Sequence, residues 1–294
     1  YTENFTNGGY LASFDDNGFT WQYGGGSNNE WWNESKNYVA WCWKAGGTAV
    51  SNTDGDITSS VSVNEEAGFS IATYTGSTAS GALTVGHGLG KKPAWVMVKR
   101  RDSTGEWIVG HQALATDAFA NNKFLKLDAS SSAFTNSLVW GAEPTTTVTQ
   151  IVSDGNAGAS NLTSSGTYVM YSWAEIPGYS RFGTYTGNGS SSGPYVYLGF
   201  RPNWVLVKGN SFAGNWNLFD IRRPGYNTTN DRLFPNLADA ETDGSSSNNQ
   251  IDIVSNGFIL SGSNVDTNAS GSTFIYMAFA EQPGTTTFDT FPNA

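Results

Sequence analysis

The sequence predicts an all-β protein made of tandem β-sandwich repeats of about 105–110 residues, with little helix. Three observations carry that expectation. Charged residues form only 14% of the 294 residues, too few for the solvent faces of long helices. Aromatics also reach 14%, alongside Gly 35, a load that argues against disorder and for strands and turns. The apolar runs alternate with period two, and the same runs recur in the same order along the chain.

The recurrence defines the units. Tyr168-Val-Met-Tyr-Ser-Trp-Ala-Glu-Ile-Pro-Gly178 matches Phe274-Ile-Tyr-Met-Ala-Phe-Ala-Glu-Gln-Pro-Gly284, and Tyr38-Val-Ala-Trp-Cys-Trp-Lys-Ala-Gly-Gly47 is a third copy. Tyr74-Thr-Gly76 returns as Tyr185-Thr-Gly187, Trp95-Val-Met-Val-Lys99 as Trp204-Val-Leu-Val-Lys208, and Gly105-Glu-Trp107 as Gly214-Asn-Trp216. Ile151-Val-Ser-Asp-Gly155 matches Ile253-Val-Ser-Asn-Gly257, with Ser13-Phe-Asp-Asp-Asn-Gly18 as a further copy. Residues 1–47 therefore read as the C-terminal part of an incomplete repeat, so the chain begins inside one. Residues 48–67 read as a Ser/Thr-rich linker or an added edge strand, with Ile57–Val63 as the strand candidate. Residues 68–177 and 178–284 are the two complete sandwich repeats, and residues 285–294 are a tail.

Within a repeat, Trp204, Leu206 and Lys208 share one strand face while Val205 and Val207 share the other. Asp102-Ser-Thr-Gly105 is a turn sequence between Val96–Arg101 and Glu106–Gly110, so Lys99-Arg100-Arg101 reads as a hairpin end. Val169–Ala174 is apolar on both faces, which requires cover from a second sheet and from a neighbouring repeat or subunit. Leu233–Glu241 is the best helix candidate. Cys42 is the only cysteine, and between Trp41 and Trp43 it reads as a buried, inert thiol.

Several function classes are disfavoured. A formal net charge of −10 opposes nucleic-acid binding, and no apolar run approaches the roughly 20 residues of a membrane span. His87 and His111 are the only histidines; Gly86-His-Gly-Leu-Gly90 lacks the ending of a phosphate loop and reads as a structural turn. His111 aligns with Asp220, as at a tolerant surface polar position. Neither histidine has a nucleophile elbow nearby. Glu175 and Glu281 are repeat equivalents, but the third copy has Ala45 there, which opposes a catalytic carboxylate in every repeat. Asn52, Asp54 and Asp56 have the spacing of a calcium loop without its downstream Glu. No catalytic residue, metal or cofactor is expected. Glycan contact is the remaining chemistry, because sugar rings stack on exposed aromatics while Asn and Arg satisfy their hydroxyls. Trp31 and Trp32 are the first candidates, and Arg222, Arg223, Tyr226 and Asn227 the second.

Tyr38-Val-Ala-Trp-Cys-Trp-Lys-Ala-Gly-Gly47, Ser51-Asn-Thr-Asp-Gly55, Thr84-Val-Gly-His-Gly-Leu-Gly90 and Val96-Met-Val-Lys-Arg-Arg-Asp102 followed by Trp107 resemble a domain family that recurs in virion genes of marine phages, including those of cyanobacteria and SAR11-type bacteria. The second repeat departs from the pattern, with Leu198-Gly-Phe200 in place of His87-Gly-Leu89. The resemblance implies a non-enzymatic virion surface protein, a tail-fibre or head-fibre component located on the virion or extracellularly. It implies a homo-oligomer, with a trimer as the expected state, other virion proteins as partners, and a host surface glycan as the candidate receptor. A free-standing carbohydrate-binding module and a capsid decoration protein are the alternatives; a polysaccharide depolymerase ranks last.

Overall fold

Alternating apolar residues become strands, and every named strand pair among the described residues is antiparallel. The computed structural model describes residues 10–15, 18–22, 37–77, 81–153, 166–223, 227, 231–243 and 249–282. The chain forms two compact units, Tyr1–Trp43 with Asp102–Thr104, and Lys44–Arg101 with Gly105–Ala294.

In the first unit, β1 (Tyr10–Asp15) pairs with β2 (Gly18–Gln22), with an irregularity between Leu11 and Ser13. Asp15 accepts hydrogen bonds from Thr20 Oγ1 at 2.7 Å and Ser13 Oγ at 2.8 Å, and these bonds lower its carboxyl pKa. Two sequence expectations change here. Cys42 is exposed. The segment Tyr38–Gly47, although a copy of a closing strand, carries no strand pairing.

The second unit contains both complete repeats except Asp102–Thr104. Its first sandwich comprises β3 (Val50–Asn52), β4 (Ser59–Asn64), β5 (Phe69–Thr75), β6 (Gly81–Gly86), β7 (Trp95–Arg100), β8 (Ile108–His111), β9 (Lys123–Lys126), β10 (Phe134–Thr135), β11 (Val148–Ser153) and β12 (Thr167–Trp173). One sheet has the order β10-β9-β8-β7-β12-β5-β4-β3, and β11-β6 forms the facing layer. Ala72, Tyr74, Val96, Val98, Tyr168 and Met170 of the large sheet meet Val85 and Ile151 of the small one in a single core. The Ser/Thr-rich segment at 48–67 thus contributes two strands, which extend the sheet beyond β5. β7 and β8 pair as the turn sequence between them predicts.

The second sandwich comprises β13 (Ser180–Thr186), β14 (Tyr195–Tyr197), β15 (Trp204–Gly209), β16 (Asn217–Asp220), β17 (Asp231–Arg232), β18 (Thr242–Asp243), β19 (Ile251–Val254), β20 (Gly257–Leu260) and β21 (Thr273–Phe279). Its sheets run β13-β21-β15-β16 and β14-β20-β19, and they enclose a core of Tyr185, Val205, Val207, Phe219, Phe258, Phe274 and Tyr276. The β19–β20 hairpin closes Val254 on Gly257, the same register in which β1–β2 closes Asp15 on Gly18. The only helix among the described residues is α1 (Val265–Asn268), whose Asn264 cap accepts from the Asp266 amide at 2.9 Å. The helix expected at Leu233–Glu241 is replaced: Leu233 makes a β-bridge with Leu218, and Thr242 begins β18. Sheet pairing at both ends overrides a weak helical preference.

One exchange between the cores is compensated. Gly110 occupies the place of Phe219, and a Cβ there would come within 2.3 Å of the Phe119 ring. Phe119 and Trp140, packed edge to face at 5.2 Å, fill the space instead.

Of the doubly apolar strands, β15 and β21 receive the second cover that their pattern demands, whereas Tyr171 on the outer face of β12 stays half-buried. All six residues of β15 are buried, and so are the last six of β21. On one side lies their own sandwich core; on the other the outer face of the second sandwich meets the first sandwich. Trp95 packs against Trp216 at 5.9 Å, and Trp216 Nε1 donates to the Lys126 carbonyl at 2.9 Å. His111 Nε2 donates to the Tyr276 carbonyl at 3.1 Å, and Gln112 Nε2 to the Phe182 carbonyl at 2.9 Å.

Candidate functional site

Of the second set of glycan candidates, Arg222, Arg223 and Asn227 lie among the described residues, whereas Trp31, Trp32 and Tyr226 lie outside them. Arg223 is a clamp. Its side chain is 11% exposed; Nε donates to Asp220 Oδ2 at 2.6 Å, and one terminal nitrogen donates to the carbonyls of Leu218 and Asp231 at 3.3 and 3.2 Å. The other terminal nitrogen pairs with Glu241. Burial opposes this charge, but Asp220 and Glu241 more than offset it and raise the pKa. Asn227 substitutes for a strand neighbour: its Nδ2 donates to the Ile253 carbonyl at 2.7 Å and its Oδ1 accepts from the Ile253 amide at 2.9 Å. Arg222 is exposed and pairs with Glu281. Arg223 and Asn227 therefore spend their hydrogen-bonding groups on the fold itself.

A different surface gathers polar groups on the first sandwich. A cavity of about 330 Å³ opens where β3, β4, β5, β12 and β7 end together. Hydroxyl-bearing residues line it, among them Ser51, Thr58, Ser59, Ser60, Thr73, Thr75 and Thr167, and Arg101 supplies the positive charge. The Arg101 amide donates to the Thr167 carbonyl at 2.8 Å, fixing the β7 end beside the β12 start. Ser51, Thr58 and Ser60 come from the segment at 48–67, for which the second repeat has no counterpart.

The same sheet face continues into a line of rings. Trp107 stacks with Tyr171 at 6.4 Å, Tyr171 with Trp173 at 6.2 Å, and Trp173 with Phe69 at 4.9 Å. Lys99 Nζ lies 5.9 Å from the Trp107 ring centre and donates to the Gly105 carbonyl at 2.7 Å. Burial raises the Tyr171 phenol, and the Arg101 charge lowers it in part, so the guanidinium and the ring line share one electrostatic environment. Trp107, Tyr171, Met97, Lys99 and Ile71 are all half-buried. Their repeat equivalents Trp216, Met277, Leu206, Lys208 and Phe182 are buried, and Trp216 and Phe182 pack on Trp95 and His111 of the first sandwich. Burial moves the Lys208 ammonium down to about 8, with Asp266 opposing the shift, and its Nζ donates to the Gly209 carbonyl at 2.7 Å.

The two histidines are held as neutral rings by one shared device. His87 Nδ1 accepts from the Leu89 amide at 3.2 Å while Nε2 donates to the Thr145 carbonyl at 3.3 Å. His111 Nδ1 accepts from the Ala113 amide at 3.0 Å while Nε2 donates to Tyr276. Both are fully buried, and burial moves each pKa down to about 4. A ring with both nitrogens occupied has no free lone pair for general-base work. Gly88 and Gly90 adopt positive φ around His87, as a structural turn requires. His111 is not at a surface position, and neither is Asp220. Asp220 Oδ1 accepts from the Arg222 amide at 2.9 Å, repeating the contact that His111 makes two residues on.

The carboxylates are dispersed. Glu175 lies 3.9 Å from Arg181, and Glu281 pairs with Arg222. Asp56 accepts from the Thr84 amide and hydroxyl at 3.0 and 2.8 Å, and Asp54 exchanges hydrogen bonds with Asn52. Among the described residues no group of three His, Cys, Asp or Glu side chains is arranged to hold a metal ion. No helix among them is long and apolar enough to cross a membrane.

The sequence signal for the hydroxyl-lined cavity was weak, because Ser and Thr are abundant throughout the chain. Only Lys99-Arg100-Arg101, the compact basic cluster of an acidic chain, marked the place. No curated protein and no solved structure matches the chain. One family model does, described as a domain of unknown function, and it spans residues 1–283, taking in both sandwiches. The chain belongs to that family, DUF7483.

Proposed function

We propose that this chain is a non-enzymatic phage virion surface protein, a tail-fibre or head-fibre component that displays host-contacting surfaces. The observation that supports this reading is the joint between the two sandwiches. Trp95, Trp216 and His111 are each at most 2% exposed there, and several hydrogen bonds cross it. A buried, aromatic joint opposes hinging, and stacked repeats that do not hinge hold their loops at fixed positions under load. The resemblance to marine-phage virion domains points the same way.

Immunogold labelling of phage particles with antibody to this chain tests the reading. Label on tail or head fibres is the expected result; label absent from particles that contain the gene overturns it. Mass measurement in solution adds a second check, with a homo-oligomer, expected as a trimer, as the outcome. The cavity on the first sandwich favours a second reading, a free-standing carbohydrate-binding module, in which the chain binds sugar but labels no particle.

A further inference from the structure

We infer that the outer face of the first sandwich, from the hydroxyl-lined cavity to Trp107, is a binding site for an acidic oligosaccharide.

Repeat equivalence isolates this face. In the second sandwich the corresponding residues Met277, Leu206 and Phe182 are buried, and Phe182 packs edge to face on His111 of the first sandwich. In the first sandwich Tyr171, Met97 and Ile71 occupy those places, half-buried, and Trp107 is half-buried where Trp216 is fully buried. The segment at 48–67 adds a wall only here, and the residues it contributes to the cavity lining are Ser51, Thr58, Ser59 and Ser60. The strand that the insert covers, β5, corresponds to β13, which is a sheet edge among the described residues.

The chemistry of the face selects the ligand. A Ser or Thr hydroxyl both donates and accepts, so a cluster of them matches sugar hydroxyls in either sense. Trp107 and Tyr171 offer ring area for the apolar face of a pyranose. Along β12, Thr167 and Tyr171 are four residues apart, about 13 Å at strand spacing, which suits an oligosaccharide better than a single sugar. The chain carries a net charge of −10, and only 15 of its residues are Lys or Arg. Two of those, Lys99 and Arg101, lie on this one face. Local positive charge on an acidic protein favours a carboxylate or sulfate, which a guanidinium binds through charge-assisted hydrogen bonds. Arg101 is exposed, so this preference weakens as salt rises.

The inference deepens the display reading and rests on it for its biological setting. Its test is made on the purified full chain. Fluorescent tetragalacturonate, a sulfated galactan tetrasaccharide and neutral maltotetraose are titrated at low and high salt. At least one acidic probe is expected to bind about tenfold or more tighter than maltotetraose, and less tightly at high salt. Arg101→Gln and Ser60→Glu, both at exposed positions, are each expected to weaken that binding about tenfold. Arg201→Gln, at an exposed position of the second repeat, is expected to leave it unchanged. Failure of both acidic probes, equal binding of maltotetraose, or wild-type affinity in Arg101→Gln overturns the assignment. If the chain labels particles but ignores the acidic probes, this site falls and the display reading stands. If the chain binds them but labels no particle, the display reading falls and the site stands.

Discussion

Lowering the pH from about 7.5 to about 5 should destabilise this protein through His87 and His111. Each ring is fully buried and held neutral, with Nδ1 accepting an amide hydrogen bond that protonation would destroy. The folded-state pKa is about 4 for each, against 6.5 for an unperturbed histidine. Because the folded value is the lower one, the unfolded chain binds more protons between these limits. Stability is therefore fully present above about pH 6.5 and is lost as pH falls toward 4. Moving to pH 5 costs about 2 kcal/mol per histidine by linkage, or about 4 kcal/mol for the pair. Urea unfolding followed by tryptophan fluorescence at several pH values measures this. The comparison is with a His87→Leu, His111→Gln double variant, which cancels the contribution of carboxylates to the acid limb. Leucine already occupies the His87 position in the second repeat, as Leu198. The wild type should lose about 4 kcal/mol more than the variant over that range. Equal losses in both proteins would refute the linkage and the neutral-ring assignment with it.

Four further outcomes follow from the packing. Trp216→Ala should cost about 3–5 kcal/mol, because a fully buried indole leaves a cavity between the sandwiches; chemical denaturation checks it. Arg223→Ala should cost about 3 kcal/mol by leaving Asp220 buried without its ion-pair partner, whereas exposed Arg222→Ala should cost under about 1 kcal/mol. Gly110→Ala should lower the melting temperature, since its Cβ would overlap the Phe119 ring, and Phe119→Leu should restore part of the loss. Ser172→Ala should be neutral or stabilising by about 1 kcal/mol, because the Ser172 hydroxyl is buried beside Ser70 with no hydrogen-bond partner among the described residues.

Much of the fold was legible in local pattern. Period-two alternation gave β7, β12, β15 and β21, and the turn Asp102–Gly105 gave the β7–β8 pairing. The doubly apolar closing strands also required a second cover, which the first sandwich supplies to β21, while Tyr171 of β12 stays half-buried. The binding surface was much less legible. Arg222, Arg223 and Asn227 looked like sugar-binding groups because type and clustering were all that could be read. The pairing of Arg223 with Asp220 and Glu241, and of Asn227 with Ile253, depends on strands brought together by the fold. Cys42 was expected to be buried from its tryptophan neighbours, but it is exposed, because neighbours in sequence do not decide what packs over a side chain.

The sequence by itself determined the β class, the repeat and the equivalence of Trp107 with Trp216, because strand periodicity and repetition are local properties of the chain. It could not separate the fates of those two tryptophans. Trp216 is buried between the sandwiches while Trp107 remains half-buried beside a hydroxyl-lined cavity. Only the tertiary structure decided that difference, since a side chain's exposure depends on which distant surface packs over it, and equivalent residues in two repeats have different neighbours.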